Sequence, residues 1–111
     1  MDSRIFFESA KTYIYTVKWI KPKIGFESEW IYFGNPTELN LKTIINEYFN
    51  EDVLFVALHR NDSFQSNRES IAEEIQHLMG TADFTIWNHT FQKVIEFNKM
   101  GIYRKGSKTN F

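Results

Sequence analysis

The chain has 111 residues, a formal net charge of −1 and no cysteine. Its length fits one domain, which we place at residues 1–104. The lack of cysteine excludes disulfide bonds, thiolate metal sites and cysteine nucleophiles.

The N-terminal sequence, Met-Asp-Ser-Arg-Ile-Phe-Phe-Glu, is interrupted by charge, so we expect neither a signal peptide nor a lipidation motif. The longest apolar run, residues 53–58, is far shorter than the about 20 residues that a membrane-spanning helix needs. We therefore expect a soluble cytoplasmic protein of bacterial origin. Residues 105–111 are predicted to form a short, basic and disordered tail.

The first strands are predicted from β-forming residues. Residues 13–20 and 26–33 are rich in aromatic and β-branched side chains, and the segment between them, residues 21–25, has the composition of a turn. This pattern predicts an antiparallel hairpin. A weaker strand is predicted at residues 4–8.

The hydrophobic period then changes from two to about 3.6. Apolar side chains recur at helical spacing from Leu41 to Phe49, with Thr37 as the predicted N-cap. The next segment, residues 53–58, is apolar at every position, as in a strand that is buried on both faces.

A second helix is predicted from a capping box formed by Ser66 and Glu69, with Gly80 at its end. Residues 84–88 are predicted to form a short strand. For residues 90–99 the helical and strand periods compete, and we favour a helix, followed by a possible edge strand at 102–104.

These elements predict an α/β (or α+β) fold, in which an N-terminal antiparallel hairpin is followed by α-β-α-β-α. The helices would pack on a small mixed sheet. Right-handed crossovers would make the strands that begin at residues 26, 53 and 84 parallel.

The carboxyl ends of parallel strands meet at one edge of a sheet, and ligands bind there. This edge would bring together the loops at residues 34–36, 59–65 and 88–89, with the second helix N-terminus as an anion site. Acid–base roles are conceivable for His59, Asp62 and His89. The simpler interpretation is that these are turn and cap residues, and no spacing indicates a metal or cofactor. The candidate ligand-binding residues are His59, Arg60, Asp62, Asn67, Arg68, Asn88 and His89.

Aromatic residues are 17% of the chain, an unusually high share. In the predicted hairpin they line both strands, and such side chains dominate protein interfaces because each buries a large area. The alternative is a core with two apolar sides. A pI near 6.3 disfavours nucleic acid as a partner. The candidate partner-binding residues are Tyr13, Tyr15, Trp19, Trp30 and Tyr32.

From these features we predict a small, non-enzymatic interaction module that binds a protein partner or a second copy of itself. An inhibitor-like or immunity-like role in a microbe suits its size. The alternative is a binding protein, or a weak candidate enzyme, for a phosphorylated or carboxylate ligand at the strand-end loops.

Overall fold

The computed structural model of the protein describes residues 2–22, 28–33 and 40–108. Within these ranges it contains three α-helices and seven β-strands. The helices are α1 (Ser3–Tyr13), α2 (Leu41–Tyr48) and α3 (Ile71–Ile75). The strands are β1 (Lys18–Trp19), β2 (Ile31–Tyr32), β3 (Val53–Ala57), β4 (Phe64–Asn67), β5 (Phe84–Asn88), β6 (Lys93–Asn98) and β7 (Ile102–Ser107).

All seven strands belong to one sheet, in which every pairing is antiparallel. The strand order is β1-β7-β6-β5-β3-β4, and β2 pairs with the other end of β7. The fold is therefore α+β, and the predicted mixed sheet with parallel crossovers is wrong. Short connections join β3 to β4, β5 to β6 and β6 to β7, and such connections favour antiparallel neighbours.

The predicted N-terminal hairpin is not formed by the described residues. The weaker strand predicted at residues 4–8 is wrong, because these residues belong to α1, which the Asp2 side chain caps by accepting a hydrogen bond from the Arg4 amide at 2.8 Å. Residues 13–16 of the predicted first hairpin strand are helical as well. Phe6 and Ala10 lie one turn apart on the buried side of α1. Strands β1 and β2 pair with β7 instead of with each other. Of the predicted turn at residues 21–25, residues 23–25 lie outside the described residues.

Helix α2 and strand β3 confirm two sequence predictions. The N-cap of α2 is Asn40, whose side chain accepts from the Thr43 amide at 3.0 Å. Thr37, the predicted N-cap, lies outside the described residues. In β3, four of the five residues are buried, as expected for a strand with a packed layer on each face.

The predicted capping box is wrong, because Ser66 belongs to strand β4 and pairs with Leu54 of β3. The Ser66 hydroxyl donates to the Glu74 carboxylate at 3.0 Å. Helix α3 begins only at Ile71, and a 3₁₀ turn at residues 76–78 follows it.

The predicted helix at residues 90–99 is also wrong. Strand β6 occupies residues 93–98 because it lies between β5 and β7 and must bury side chains on both faces. Val94 enters one core while Ile95 and Phe97 enter the other. Strand β7 continues to Ser107, so residues 105–107 form part of the sheet and not of a tail.

The sheet separates two hydrophobic cores. The larger core, around Ile45, Ile75 and Ile86, lies on the face covered by α2 and α3, which we call the α2 face. The smaller core, around Phe6 and Trp87, lies on the opposite face under α1, which we call the α1 face. Over the described ranges, no helix is both long and apolar enough to cross a membrane.

Candidate functional site

The antiparallel sheet does not bring the predicted ligand-binding loops together. Leu54, near the start of β3, pairs with Asn88, whereas Ala57, at its end, pairs with Thr85. His59 and His89 therefore follow opposite ends of the sheet, and the proposed acid–base set is not assembled. Residues 34–36, the third predicted loop, lie outside the described residues.

The loop that follows β3 is a turn fixed to the start of α1. The Ser3 hydroxyl donates to the Arg60 carbonyl at 2.9 Å and accepts from the Ser63 amide at 2.8 Å. The side chains of His59, Arg60 and Asp62 are exposed. The Ser3 hydroxyl thus holds the backbone of this loop, and the Arg60 side chain lines an open pocket with residues near the start of α1.

Arg68 and Asn67 stabilise local structure near the end of α2. The Arg68 guanidinium donates to the Phe49 carbonyl at 3.1 Å and lies 3.7 Å from the Asp52 carboxylate. The Asn67 side-chain oxygen Oδ1 accepts from the amide of Ser70, the N-cap of α3, at 2.8 Å. Asn67 therefore satisfies a backbone donor at the start of α3, and Arg68 is engaged with Phe49 and Asp52.

Asn88 and His89 border a cleft of about 430 Å³ at the end of the α2 face, which we call the Lys93 cleft. Asn88 is 3% exposed. Its side-chain oxygen Oδ1 accepts from the backbone amides of Gln92 and Lys93, and its side-chain Nδ2 donates to Glu51 at 2.7 Å and to Thr90 at 3.1 Å. The cleft is lined by Ile20, Tyr48, Glu51, Asn88, His89, Thr90, Gln92, Lys93 and Ser107.

Two ionisable groups of opposite charge face each other in the Lys93 cleft. The Lys93 ammonium lies 3.9 Å from the Glu51 carboxylate and 3.4 Å from the Tyr48 carbonyl. Burial raises the pKa of Glu51, but the hydrogen bond from Asn88, backbone hydrogen bonds and the Lys93 charge outweigh it and hold this pKa below 4.5. Glu51 is therefore ionised at neutral pH.

Tyr48 forms the wall of the cleft at the end of α2. Its hydroxyl donates to the Gly106 carbonyl, which fastens the helix to strand β7. Burial raises the pKa of this phenol from 10.0 to about 12. Two ammonium groups, of Lys93 and Lys105, lie 5.8 and 5.7 Å from the Tyr48 ring centroid.

The turn between β5 and β6 contains an unusual backbone conformation at Phe91. This residue has φ 56°, in the left-handed region that bulky residues rarely adopt. Its ring is buried on the α1 face against Tyr13, Phe55 and Trp87. The turn thereby anchors one side chain on the α1 face while its neighbours line the cleft on the other face.

The predicted aromatic surface is only partly assembled. The Arg104 guanidinium lies between two indole rings, 3.7 Å from the Trp19 centroid and 4.4 Å from that of Trp30. It also donates to Glu96 at 2.6 Å and lies 3.8 Å from Glu29. We call these five residues, Trp19, Glu29, Trp30, Glu96 and Arg104, the Arg104 group.

The three tyrosines of the predicted surface do not form one cluster. Tyr32 lies on β2, where it pairs with Ile102, and is 78% exposed. Tyr13 packs on Phe91 at 5.4 Å between ring centroids and belongs to the rim of the smaller core. Tyr15 is 89% exposed in the 3₁₀ turn after α1.

Beside the Arg104 group lies a shallow apolar pocket of about 190 Å³. Glu96 belongs to both the group and the pocket. The pocket lies between α1 and the neighbouring strands. It is lined by Phe7, Ala10, Lys11, Ile14, Ala57, Asp83, Phe84, Thr85 and Glu96.

The sequence patterns did not indicate the residues that complete the Arg104 group and the Lys93 cleft. Arg104 and Glu96 are cross-strand partners, which a strand assignment at residues 93–98 identifies at once. Glu51 and Lys93 give no sequence signal, because their proximity depends on the order of the strands.

A scan against models of protein families found no match to this chain. Searches of curated proteins and of solved structures found no match either.

Proposed function

We propose that this chain is a small, non-enzymatic interaction module that binds a protein partner through the Arg104 group and the adjoining Tyr32. The observation that carries the proposal is the enclosure of one guanidinium by two indole rings and two carboxylates on the α1 face. An inhibitor-like or immunity-like role in the bacterial cytoplasm is one function of this kind.

The composition of this surface supports the proposal. Tryptophan, tyrosine and arginine are the residues that most often dominate binding energy at protein interfaces. Here the side chains of Arg104, Glu29 and Glu96 keep 21, 29 and 28% of their surface exposed. They are ordered by one another and still accessible, so a partner meets a rigid surface and loses little side-chain entropy on binding.

The apolar pocket beside Glu96 supports the same proposal. Interface hot spots lie next to pockets that accept an apolar side chain of the partner. A pocket of about 190 Å³ is large enough for one such side chain. Binding would then combine an aliphatic or aromatic anchor with polar contacts to the carboxylates around it.

The placement of the charged loop residues supports a binding role over a catalytic one. His59 and Asp62 follow one end of β3, while His89 lies at the other end. General acid–base catalysis requires such groups within hydrogen-bond reach of one substrate.

Site-specific photo-cross-linking tests the proposal. A benzophenone amino acid replaces Tyr32 in one variant and Tyr15 in a matched control, since both tyrosines are largely exposed and only the first adjoins the Arg104 group. In cells that make the protein naturally, we expect one discrete adduct from position 32, and it is lost when Arg104→Ala is added.

The mass of the adduct identifies the partner class. Twice the mass of the chain indicates a second copy, and any other discrete protein mass indicates a different partner. Equal adducts from positions 32 and 15, or no adduct from position 32, would refute the proposal.

A further inference from the structure

The Lys93 cleft lies on the α2 face, so the protein partner proposed for the Arg104 group leaves it unused. Its volume of about 430 Å³ falls in the range of sites that hold small molecules. Its walls come from the end of α2, the β5–β6 turn and the edge formed by β1 and β7.

Lys93 retains hydrogen-bonding capacity toward this cleft. Its ammonium has three donors, and the two protein oxygens near it lie at 3.4 and 3.9 Å. Both distances exceed the roughly 2.7–2.9 Å of a strong charged hydrogen bond. The Lys93 side chain is also 32% exposed, so an entering ligand can reach it.

The Glu51 carboxylate forms an ion pair with the Lys93 ammonium at 3.9 Å, which is beyond hydrogen-bond distance. One of its oxygens accepts from Asn88 at 2.7 Å, and the other accepts from the Asn50 amide at 3.0 Å. A second positive charge stands nearby on Lys105, which forms no ion pair within the described ranges. The cleft is therefore suited to a negatively charged group.

The rest of the lining provides an apolar wall and a further donor. Ile20 is 41% exposed, and the ring of Tyr48 stands in the cleft wall with it. The Thr90 hydroxyl accepts from Asn88 and keeps its own hydrogen for donation. These groups match a molecule with one anionic head and a small apolar body.

We infer that the cleft beside Lys93 binds a small organic anion, with a phosphate or carboxylate group on the Lys93 ammonium and an apolar body against Ile20 and Tyr48. The Asn88 network holds the β5–β6 turn so that Thr90 and Lys93 face the bound molecule.

Nuclear magnetic resonance titration of the ¹⁵N-labelled full chain tests this inference at constant ionic strength. The probes are phenyl phosphate and benzoate, which share a ring and differ in the anion, with phenol as the neutral control. We expect saturable shifts of the Thr90, Gln92 and Lys93 amides with at least one anion and none with phenol. The anion that binds more tightly identifies the head group.

A matched pair of variants locates the binding charge. Lys93→Met keeps the aliphatic stem and removes the ammonium, and we expect it to weaken anion binding by tenfold or more. Lys99→Met makes the same change on an exposed lysine just beyond the opposite end of β6, and binding is unchanged. Lys105→Met is expected to have a smaller effect of a few-fold.

Two results would overturn the inference. One is the absence of saturable shifts around the cleft with either anion at concentrations up to about 10 mM, which is above a dissociation constant in the low millimolar range. The other is equal binding by the wild type and Lys93→Met, with both proteins folded by their amide spectra. Neither result bears on cross-linking from position 32, because that position lies on the opposite face.

Discussion

The guanidinium carbon of Arg104 lies 3.7 Å from the centroid of the Trp19 ring, across the boundary between strands β7 and β1. The approach is possible because Gly106 lies opposite Trp19 in the sheet and its backbone contacts the indole. A Cβ atom added at Gly106 would lie only 2.9 Å from Trp19 Cε3. The short strand β1 is thus fastened to β7 by ring packing as well as by backbone hydrogen bonds.

Replacement of Arg104 by lysine is expected to destabilise the protein by about 1–2 kcal/mol, although the charge is kept. A compact ammonium cannot stack on two indole planes or reproduce the planar contact of a guanidinium. Urea unfolding measures the change. Arg60→Lys, on an exposed loop, is the control and changes stability by less than about 0.5 kcal/mol. Equal effects of the two variants would contradict this account.

At position 91 we expect the glycine variant to be more stable than the alanine variant, which is the reverse of the usual order. Both Phe91→Ala and Phe91→Gly lose core packing and are destabilised by about 3 kcal/mol or more. Glycine adopts a φ of 56° without strain, so we expect Phe91→Gly to be about 1 kcal/mol more stable than Phe91→Ala.

The control for this reversal is Phe55, which packs against Phe91 from the regular strand β3. There the glycine variant is expected to be about 1 kcal/mol less stable than the alanine variant. Chemical denaturation of the four variants makes the comparison. The same order at both positions would show that the backbone conformation at position 91 carries no energetic cost.

Glu51 is expected to make stability depend on acid pH. Its folded pKa is held below 4.5, so its contribution is present above about pH 5 and is lost as pH falls through the folded pKa. The stability difference between wild type and Glu51→Gln should therefore shrink between pH 6 and pH 3, a window of about three units around the carboxyl range. A difference that is independent of pH would contradict the lowered pKa.

Tyr48 is expected to make stability depend on pH in the alkaline range. The unfolded phenol ionises near 10.0 and the folded one only near 12, so the native state retains this proton and loses stability as pH rises through that interval. Urea midpoints should fall more steeply for the wild type than for Tyr48→Phe above pH 10. Parallel pH dependences for the two proteins would show that the buried phenol titrates normally.

Sequence patterns predict the parts of this fold whose structure is decided locally. Helix α2 has a strong apolar period, and β3 and β5 lie where short β-forming runs indicate them. The secondary structure of the N-terminal segment was harder to predict, because its β-forming aromatic residues also match a helical period that starts at the Asp2 cap. The cap outweighs the weak strand preference.

The pairing of strands could not be predicted, and the candidate sites depend on it. Residues 93–98 satisfy both periods, and only neighbours on both sides decide in favour of a strand. Once β3 and β5 are antiparallel, His59 and His89 separate, whereas Asn88 comes next to Glu51. Of the predicted ligand-binding residues, Asn88 and His89 line the cleft, and the other residues that line it come from distant positions in the chain.

Strand β7 is made after every other described element, yet both β1 and β2 pair with it. During synthesis on the ribosome, Trp19 and Trp30 therefore lack their native partner Arg104 until β7 has emerged. Contacts between such distant segments form slowly, since a long loop must close first. These two indole rings form part of a rigid surface in the folded protein. In the nascent chain they are unpaired apolar groups, and they therefore favour aggregation.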